Sequence, residues 1–313
     1  MKLICIMPGC PPPEGGRTVA ALGFFDGVHI GHRRLLDRVR EISAASGAVP
    51  SVFTFSDDTR SFKPGAARLT DFESKLDLFR LAGIERVYAA EFPDYSDLSP
   101  DRFVSDVLIG TMNAEVAVCG FNFRFGCRAS GDSAALVSLM RAAGRGAEVI
   151  EATRLRGTVV SSSAIRDALS EGNIVFANEM LGRPYAIPGR VEHGRGYGHT
   201  EGVPTLNLSF PPEIAIPRYG VYASRVVTGN GTVLRSVSNV GVRPTFGDGA
   251  APNCETHLID FSGGDLYGCA VRVELVRFLR PERRFDSPDD LYRQIALDVA
   301  AARSDPAPEP RKD

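Results

Sequence analysis

No stretch of the 313-residue chain approaches the roughly 20 consecutive apolar residues that span a bilayer, so no membrane partner is expected. The apolar part of the opening "MKLICIMPGCPPPEGG" is too short for a secretory signal, and a cytoplasmic protein is expected. The six cysteines, Cys5, Cys10, Cys119, Cys127, Cys254 and Cys269, contain no C-x-x-C pair. That spacing argues against a zinc site or a disulfide framework and reads as reduced, mostly structural thiols. A large excess of one charge is missing as well. With a net charge of −2 there is no broad basic field for nucleic acid, so any polyanion must be held by a local site. A G-x-x-x-x-G-K-[ST] loop is also absent, which removes the commonest phosphate cradle.

What is present is an ordinary globular composition, 43% hydrophobic and 24% charged. The length suits two cores, since one domain takes roughly 100 to 200 residues. The chain is read as a first domain over 1–183, a second over 184–303 and a Pro-rich, charged and disordered tail over 304–313. In the first, "TVAALGFF", "VPSVFTF", "IERVYAAEF" and "AEVAVCGF" read as strands. They alternate with helical patterns in "GHRRLLDRVREISAAS", "DFESKLDLFRLAG" and "SPDRFVSDVLIGTM". Strands alternating with helices imply crossovers and a parallel sheet covered on both faces. Two short helical patterns follow in "VSSSAIRDALSEGNIVFANEMLG". From Tyr185 onward, six short β-rich runs separated by Gly, Pro, Asn and Asp suit a small antiparallel barrel. A terminal helix in "DSPDDLYRQIALDVAAA" follows, with Ser287 as N-cap and Pro288 as its first residue.

"LGFFDGVHIGH", Leu22 to His32, lies where the first of these strands hands over to a helix. In a parallel sheet that is where helix N-termini present free N–H groups and a partial positive charge, a phosphate site. His29 and His32 fall on one face at the helix entrance, and Gly27 and Gly31 permit a tight turn and close approach of a ligand. The alternative is that the histidines merely close the turn and cap neighbouring groups. In "VSSSAIR", the serines precede a helix and Arg166 adds a positive fork, a second place for phosphate. The alternative there is a plain serine cap.

In the second half, "HGRGYGHTEGVPTLN" has four glycines in a short span, Gly194, Gly196, Gly198 and Gly202, suggesting a lid whose N–H groups face phosphates. Thr205 and Asn207 alternate on a strand, so both face one side and offer two oxygens to a hard cation such as Mg²⁺. A polar pair across barrel strands would look the same.

The stretch "GFFDGVHIGH" resembles the start of the bacterial bifunctional riboflavin kinase/FMN adenylyltransferase family, with His29-Ile30-Gly31-His32 as its HxGH signature. "GFNFRFGCRASGD", "VSSSAIRDAL" and "EGNIVFANEMLGRPYAIPGRV" match in order, and Pro204-Thr205-Leu206-Asn207, "NVGVRPTFG", "CETHLIDF" and "FLRPERRF" continue the match through the second half. The resemblance implies a Rossmann-like nucleotidyltransferase domain followed by a kinase barrel. Riboflavin, FMN and ATP would be the substrates and Mg²⁺ the metal. On the ATP side it implies Gly23, Asp26, Gly27, Ser162, Ser163 and Arg166, with Gly194, Gly198 and Thr205 in the kinase half. Asn122, Phe123 and Phe125 are implied on the flavin side, Thr205 and Asn207 as metal ligands, His29 and His32 as catalytic, and Glu255 as the base of the kinase.

Phe24, Ser163, His199 and Leu206 depart mildly from the family pattern. A larger departure is Asp57-Asp58-Thr59, where relatives carry a His-Pro segment. Three functions therefore stand: a bifunctional enzyme, a kinase with a weakened or inactive adenylyltransferase, and a non-catalytic flavin-binding regulator. Against the last stands the joint presence of His29, His32, Arg166, Thr205, Asn207 and Glu255.

Overall fold

The computed structural model describes residues 1–7, 9, 16–56, 67–192, 205–211, 213–242, 251–264 and 266–305. The segments holding Asp57, Asp58 and Thr59, and Gly194 and Gly198, lie outside the described residues. The chain divides into two compact units, Met1–Ser162 and Ser163–Asp313.

In the first unit, β1 (Lys2–Ile6), β2 (Thr18–Leu22), β3 (Val49–Phe55), β4 (Arg86–Ala90), β5 (Ala114–Gly120) and β6 (Gly146–Ile150) form one sheet. Its order is β1-β4-β3-β2-β5-β6 and every pairing is parallel. The "TVAAL" run of β2 is buried throughout because both faces are covered. Val19 and Ala21 pack in one core with Leu36 and Val39 of α1 (Ile30–Ser46), while Ala20 and Leu22 pack in another with Leu136 of α3 (Ser133–Ala142). Each valine or leucine among them, once buried, contributes about 1.5–3 kcal/mol. α2 (Phe72–Leu81) lies between β3 and β4 in sequence and is capped by Asp71, whose carboxylate accepts from Ser74 N. The helix expected over "SPDRFVSDVLIGTM" winds as a π-helix from Phe103 to Thr111. At its end the Thr111 hydroxyl donates to Asp106 O at 3.0 Å. The outer edge strand β1 leaves Leu3 exposed, and Met7 just beyond it is exposed as well. The chain runs from β2 to β3 on one side and β5 sits on the other, so the strand order reverses at β2. Ligands in such sheets lie outside the carboxyl end of that strand.

The second unit holds most of α4 (Ser162–Glu171), which starts at the boundary residue, and then α5 (Ile174–Leu181). The strands β7 (Tyr185–Arg190), β8 (Thr205–Ser209), β9 (Gly220–Thr228), β10 (Val233–Val242), β11 (Pro252–Leu258) and β12 (Ala270–Arg280) follow. They pair antiparallel in the order β7-β12-β9-β10-β11-β8. Glu192, just after β7, bridges to Asn207 of β8, so the sheet curls into a half-barrel whose two edges approach at this point. Its interior carries a run of buried hydroxyls, Ser236 to Ser224 to Ser238 to Thr256, each step 2.8 Å. Asn178 of α5 seals the helix to the barrel by accepting from Tyr185 N at 2.7 Å and donating to Leu275 O at 2.9 Å. α6 (Pro288–Arg303) begins as its sequence implies, with the Ser287 hydroxyl accepting from Asp290 N. Of the tail expected from residue 304, Ser304 and Asp305 are described, and the Asp305 carboxylate is held by Arg277 at 3.1 and 3.2 Å; the remainder lies outside the described residues.

Candidate active sites

Beyond β2 the backbone makes an unusual turn. Phe25 takes φ 57° and Val28 φ 37°, both left-handed, and Gly27 lies between them at φ 80°. Side chains at such angles cost about 1–3 kcal/mol each, and the strain persists only where neighbours hold it. Here Asp26, 8% exposed, accepts from Leu69 N at 2.8 Å. Thr70 Oγ1 accepts from Gly27 N at 3.2 Å, and the Ser162 hydroxyl donates to Asp26 O at 3.0 Å.

The turn delivers His29 as the N-cap of α1. His29, 6% exposed, accepts from His32 N through Nδ1 at 3.2 Å, so a neutral ring carries its proton on Nε2, a donor suited to an oxyanion. The two imidazoles stack with centroids 3.6 Å apart and planes 15° from parallel, and Phe25 meets His32 edge-on at 5.1 Å. Gly31 is what lets this happen. A Cβ there would stand 3.1 Å from His29 Nδ1 and 3.2 Å from its Cε1, tighter than ordinary contact. Capping and chemistry, alternatives in the sequence, are thus joined in one ring: the capping bond orients the imidazole. α1 is also braced to β6, where Arg38 grips Glu148 through two bonds of 2.7 and 2.9 Å. That hydrogen bond from Arg38 holds the Glu148 carboxyl below its ordinary range.

In the barrel, Asn207 of β8 stands opposite Glu255 of β11, and Glu255 stands opposite Asn239 of β10. Residues directly opposite share a face, so the three form a row across the sheet. Thr205 stands opposite His257 on the same face. Asn253, two residues before Glu255, donates to its Oε1 at 3.1 Å, and Asn239 donates to Glu282 Oε1 at 3.1 Å. Glu255 is exposed while Asn207 is 7% exposed, a carboxylate standing above a buried amide. Cys254 and Thr256 point the other way, and burial pushes the Cys254 thiol up to about 11, which fits a structural rather than a nucleophilic cysteine. Because Glu192 pairs with Asn207, the chain enters and leaves the 193–204 segment beside this row.

Other residues implied by the resemblance fall as follows. Gly23 ends β2 by donating to Phe53 O at 3.2 Å. Asn122 is exposed, Phe123 is half-buried, and Phe125, 7% exposed, belongs to the core against Phe103 at 5.4 Å. Phe123 and Phe125 stack at 5.5 Å. Ser163 and Arg166 lie on α4 in the second unit, with Ser162 as the last residue of the first. Asn239 and Asn253 were not foreseen. The period-two alternation of 253, 255 and 257 was the available signal for Asn253, whereas Asn239 depends on a register between strands that are distant in sequence.

A parallel α/β unit with stacked histidines at a helix entrance, joined to a barrel with an Asn207, Glu255 and Asn239 row beside Thr205, is the frame of a two-site protein that transfers phosphate-bearing groups. Residues 12–164 match the FAD synthetase family and residues 181–305 the riboflavin kinase family. The bifunctional riboflavin kinase/FMN adenylyltransferase of Bacillus subtilis (strain 168) is 33% identical over 296 residues, covering 92% of each chain. That of Escherichia coli (strain K12) is 35% identical with 93% of each covered, and that of Pseudomonas fluorescens 37% with 95% of each. The chain belongs to the bifunctional riboflavin kinase/FMN adenylyltransferase family. A solved chain titled as a macrolide-efflux protein from Streptococcus pneumoniae has the same fold, with a TM-score of 0.87, 26% identity, and 97% of this chain and 99% of that one covered. Among the described residues no helix is long and apolar enough to cross a membrane.

Proposed function

We propose that the chain phosphorylates riboflavin to FMN at the barrel and adenylylates FMN to FAD at the His29–His32 turn, releasing pyrophosphate. What carries this reading is that one chain holds both family halves. In the first reaction Glu255 takes the proton of the ribityl primary hydroxyl as its oxygen bonds to the γ-phosphorus and the bond to ADP breaks. Asn253 orients the carboxylate. Thr205 and Asn207 offer a hydroxyl and an amide oxygen on one face, hard neutral donors that fit Mg²⁺ held mainly by phosphates and water. Bound there, the ion would offset charge on the transferring phosphoryl group. No group of three or more His, Cys, Asp or Glu suited to an all-protein metal site occurs among the described residues.

In the second reaction a phosphate oxygen of FMN attacks the α-phosphorus of ATP. No covalent intermediate with the protein is needed, so the contribution of His29 and His32 is to place donors where charge grows. Ser162, Ser163 and Arg166 are assigned to the ATP phosphates, Gly23, Asp26 and Gly27 to the same nucleotide, and Asn122, Phe123 and Phe125 to the flavin side. Gly194 and Gly198 are assigned to the kinase lid. A cytoplasmic setting belongs to the proposal, supported by free thiols at Cys5, Cys119, Cys127, Cys254 and Cys269. Incubation with riboflavin and Mg²⁺-ATP, followed by chromatography, tests the whole scheme. Failure to form FMN would sink it, and FMN without FAD would leave only the kinase half.

Asp57 and Asp58 bear on the balance of the two activities. If they approach the FMN phosphate, as the resemblance implies, like-charge repulsion slows adenylyl transfer and FMN accumulates before FAD. Asp57→His and Asp58→His should then differ, one raising FAD output and the other doing little. Equal rates for both steps in the parent, with neither substitution helping, would refute this.

The kinase part is placed at 184–303, yet Asn178 gives a reason to start a fragment earlier. A fragment from Ser163 should phosphorylate riboflavin by itself. One starting at residue 184 loses both Asn178 bonds and should be less stable by about 1–3 kcal/mol. Thermal melts of the two fragments decide this; equal melting would show that the helix contributes nothing to the barrel.

A further inference from the structure

Lys75, one turn into α2, is 2% exposed although it carries an ammonium group. Its Nζ donates to Phe55 O at 3.1 Å and to Phe24 O at 3.3 Å. It also lies 4.7 Å from the centroid of the Phe24 ring and 5.1 Å from that of Phe72. Phe55 is the last residue of β3, and Phe24 follows β2 by two residues, so one side chain ties the carboxyl ends of two neighbouring parallel strands. The buried Thr54 hydroxyl donates to the same Phe24 carbonyl at 3.1 Å. That carbonyl comes immediately before left-handed Phe25 and just ahead of the turn that delivers His29.

A buried ammonium is costly, and an apolar side chain would fill the same volume without that cost. Strain at Phe25 and Val28 needs a restraint at the start of the turn, and the Phe24 carbonyl is where two donors converge. We propose that Lys75, assisted by Thr54, is a positioning residue for adenylyl transfer, holding the end of β2 so that the strained turn presents His29 and His32 in their stacked arrangement. This rests on the reading of that turn as the adenylyl-transfer site.

The test uses the full chain with Lys75→Met, Thr54→Val and the double variant. It reads kcat and KM for FAD formation from FMN and ATP, FMN formation from riboflavin, thermal melting, and the side-chain ¹⁵N signals of the histidines. Lys75→Met is expected to lower kcat for FAD on the order of 10²-fold, as a misplaced reacting geometry does, with KM values nearly unchanged. Thr54→Val should lose roughly tenfold, and the double variant less than the product of the two, because both act through one carbonyl. Histidine signals should shift in each variant, and FMN formation should persist.

A folded Lys75→Met with parental kcat for FAD, or a lost kcat with unmoved histidine signals, overturns the proposal. Should Lys75→Met melt below the assay temperature, Thr54→Val decides alone: parental kcat and histidine signals there also overturn it. His29→Ala in the same assays separates the two levels. If that variant still makes FAD, the site reading itself fails and takes the role of Lys75 with it.

Discussion

Replacing Glu255 by glutamine is expected to stop the formation of FMN from riboflavin while FAD continues to form from supplied FMN at the parental rate. The substitution keeps size and shape, and Glu255 is exposed on β11, so the barrel should fold as before. What is lost is the ability to accept a proton. Asn253 would still meet the remaining amide oxygen, and the row with Asn207 and Asn239 would still stand. A general base contributes roughly 10²–10⁴-fold, which sets the size of the loss. Selectivity is the sharper part of the prediction. Glu255 and the His29 turn lie in different compact units, so an equal loss of both reactions would break the assignment of chemistry to units.

The reverse pattern is expected at the other site. His29→Ala and His32→Ala should each lower FAD formation by roughly 10²–10³-fold, the scale of removing one donor from a developing charge, and leave FMN formation intact. His29 has two duties that these variants would confuse, since it also caps α1. Loss of a cap costs about 1 kcal/mol, which by itself shifts stability and not the reaction. Asparagine is among the best capping residues, so His29→Asn should restore the melting temperature without restoring FAD synthesis. Recovery of activity in His29→Asn would mean that the imidazole serves the helix and not the phosphate.

Much of this architecture was legible because it is written in short-range patterns. Six β-rich runs punctuated by turn residues gave all six barrel strands, and the Ser287-Pro288 pair gave the start of the last helix. In the parallel sheet only four of the six strands were legible. β1 is a short apolar run at the start of the chain, where such a run also fits a leader, and "GAEVI" of β6 opens on glycine, carries a glutamate at its centre and is intermediate in burial along its whole length. The histidine pair was visible as a spacing, but the stack and the cap depend on Phe25 and Val28 adopting angles that no propensity favours. Lys75 was hidden for a different reason. Lysine in a helical pattern normally marks the wet face, and nothing in "DFESKLDLF" says that this one is enclosed. Asn239 belongs to the same class, because its neighbour is fixed by strand register across the sheet.

The two sheets differ in one respect that matters when the protein is concentrated. A bridge between Glu192 and Asn207 draws together the two edges of the antiparallel sheet, whereas the parallel sheet has an edge at β1, with Leu3 41% exposed on it and Met7 61% exposed just beyond it. Such a border is a template on which a second chain can add a strand. Self-association on storage should therefore begin at the amino-terminal strand and spare the barrel. A single charge there, Leu3→Lys, should reduce light scattering at high concentration without altering either catalytic rate. Unchanged scattering in that variant would move the sticky surface elsewhere.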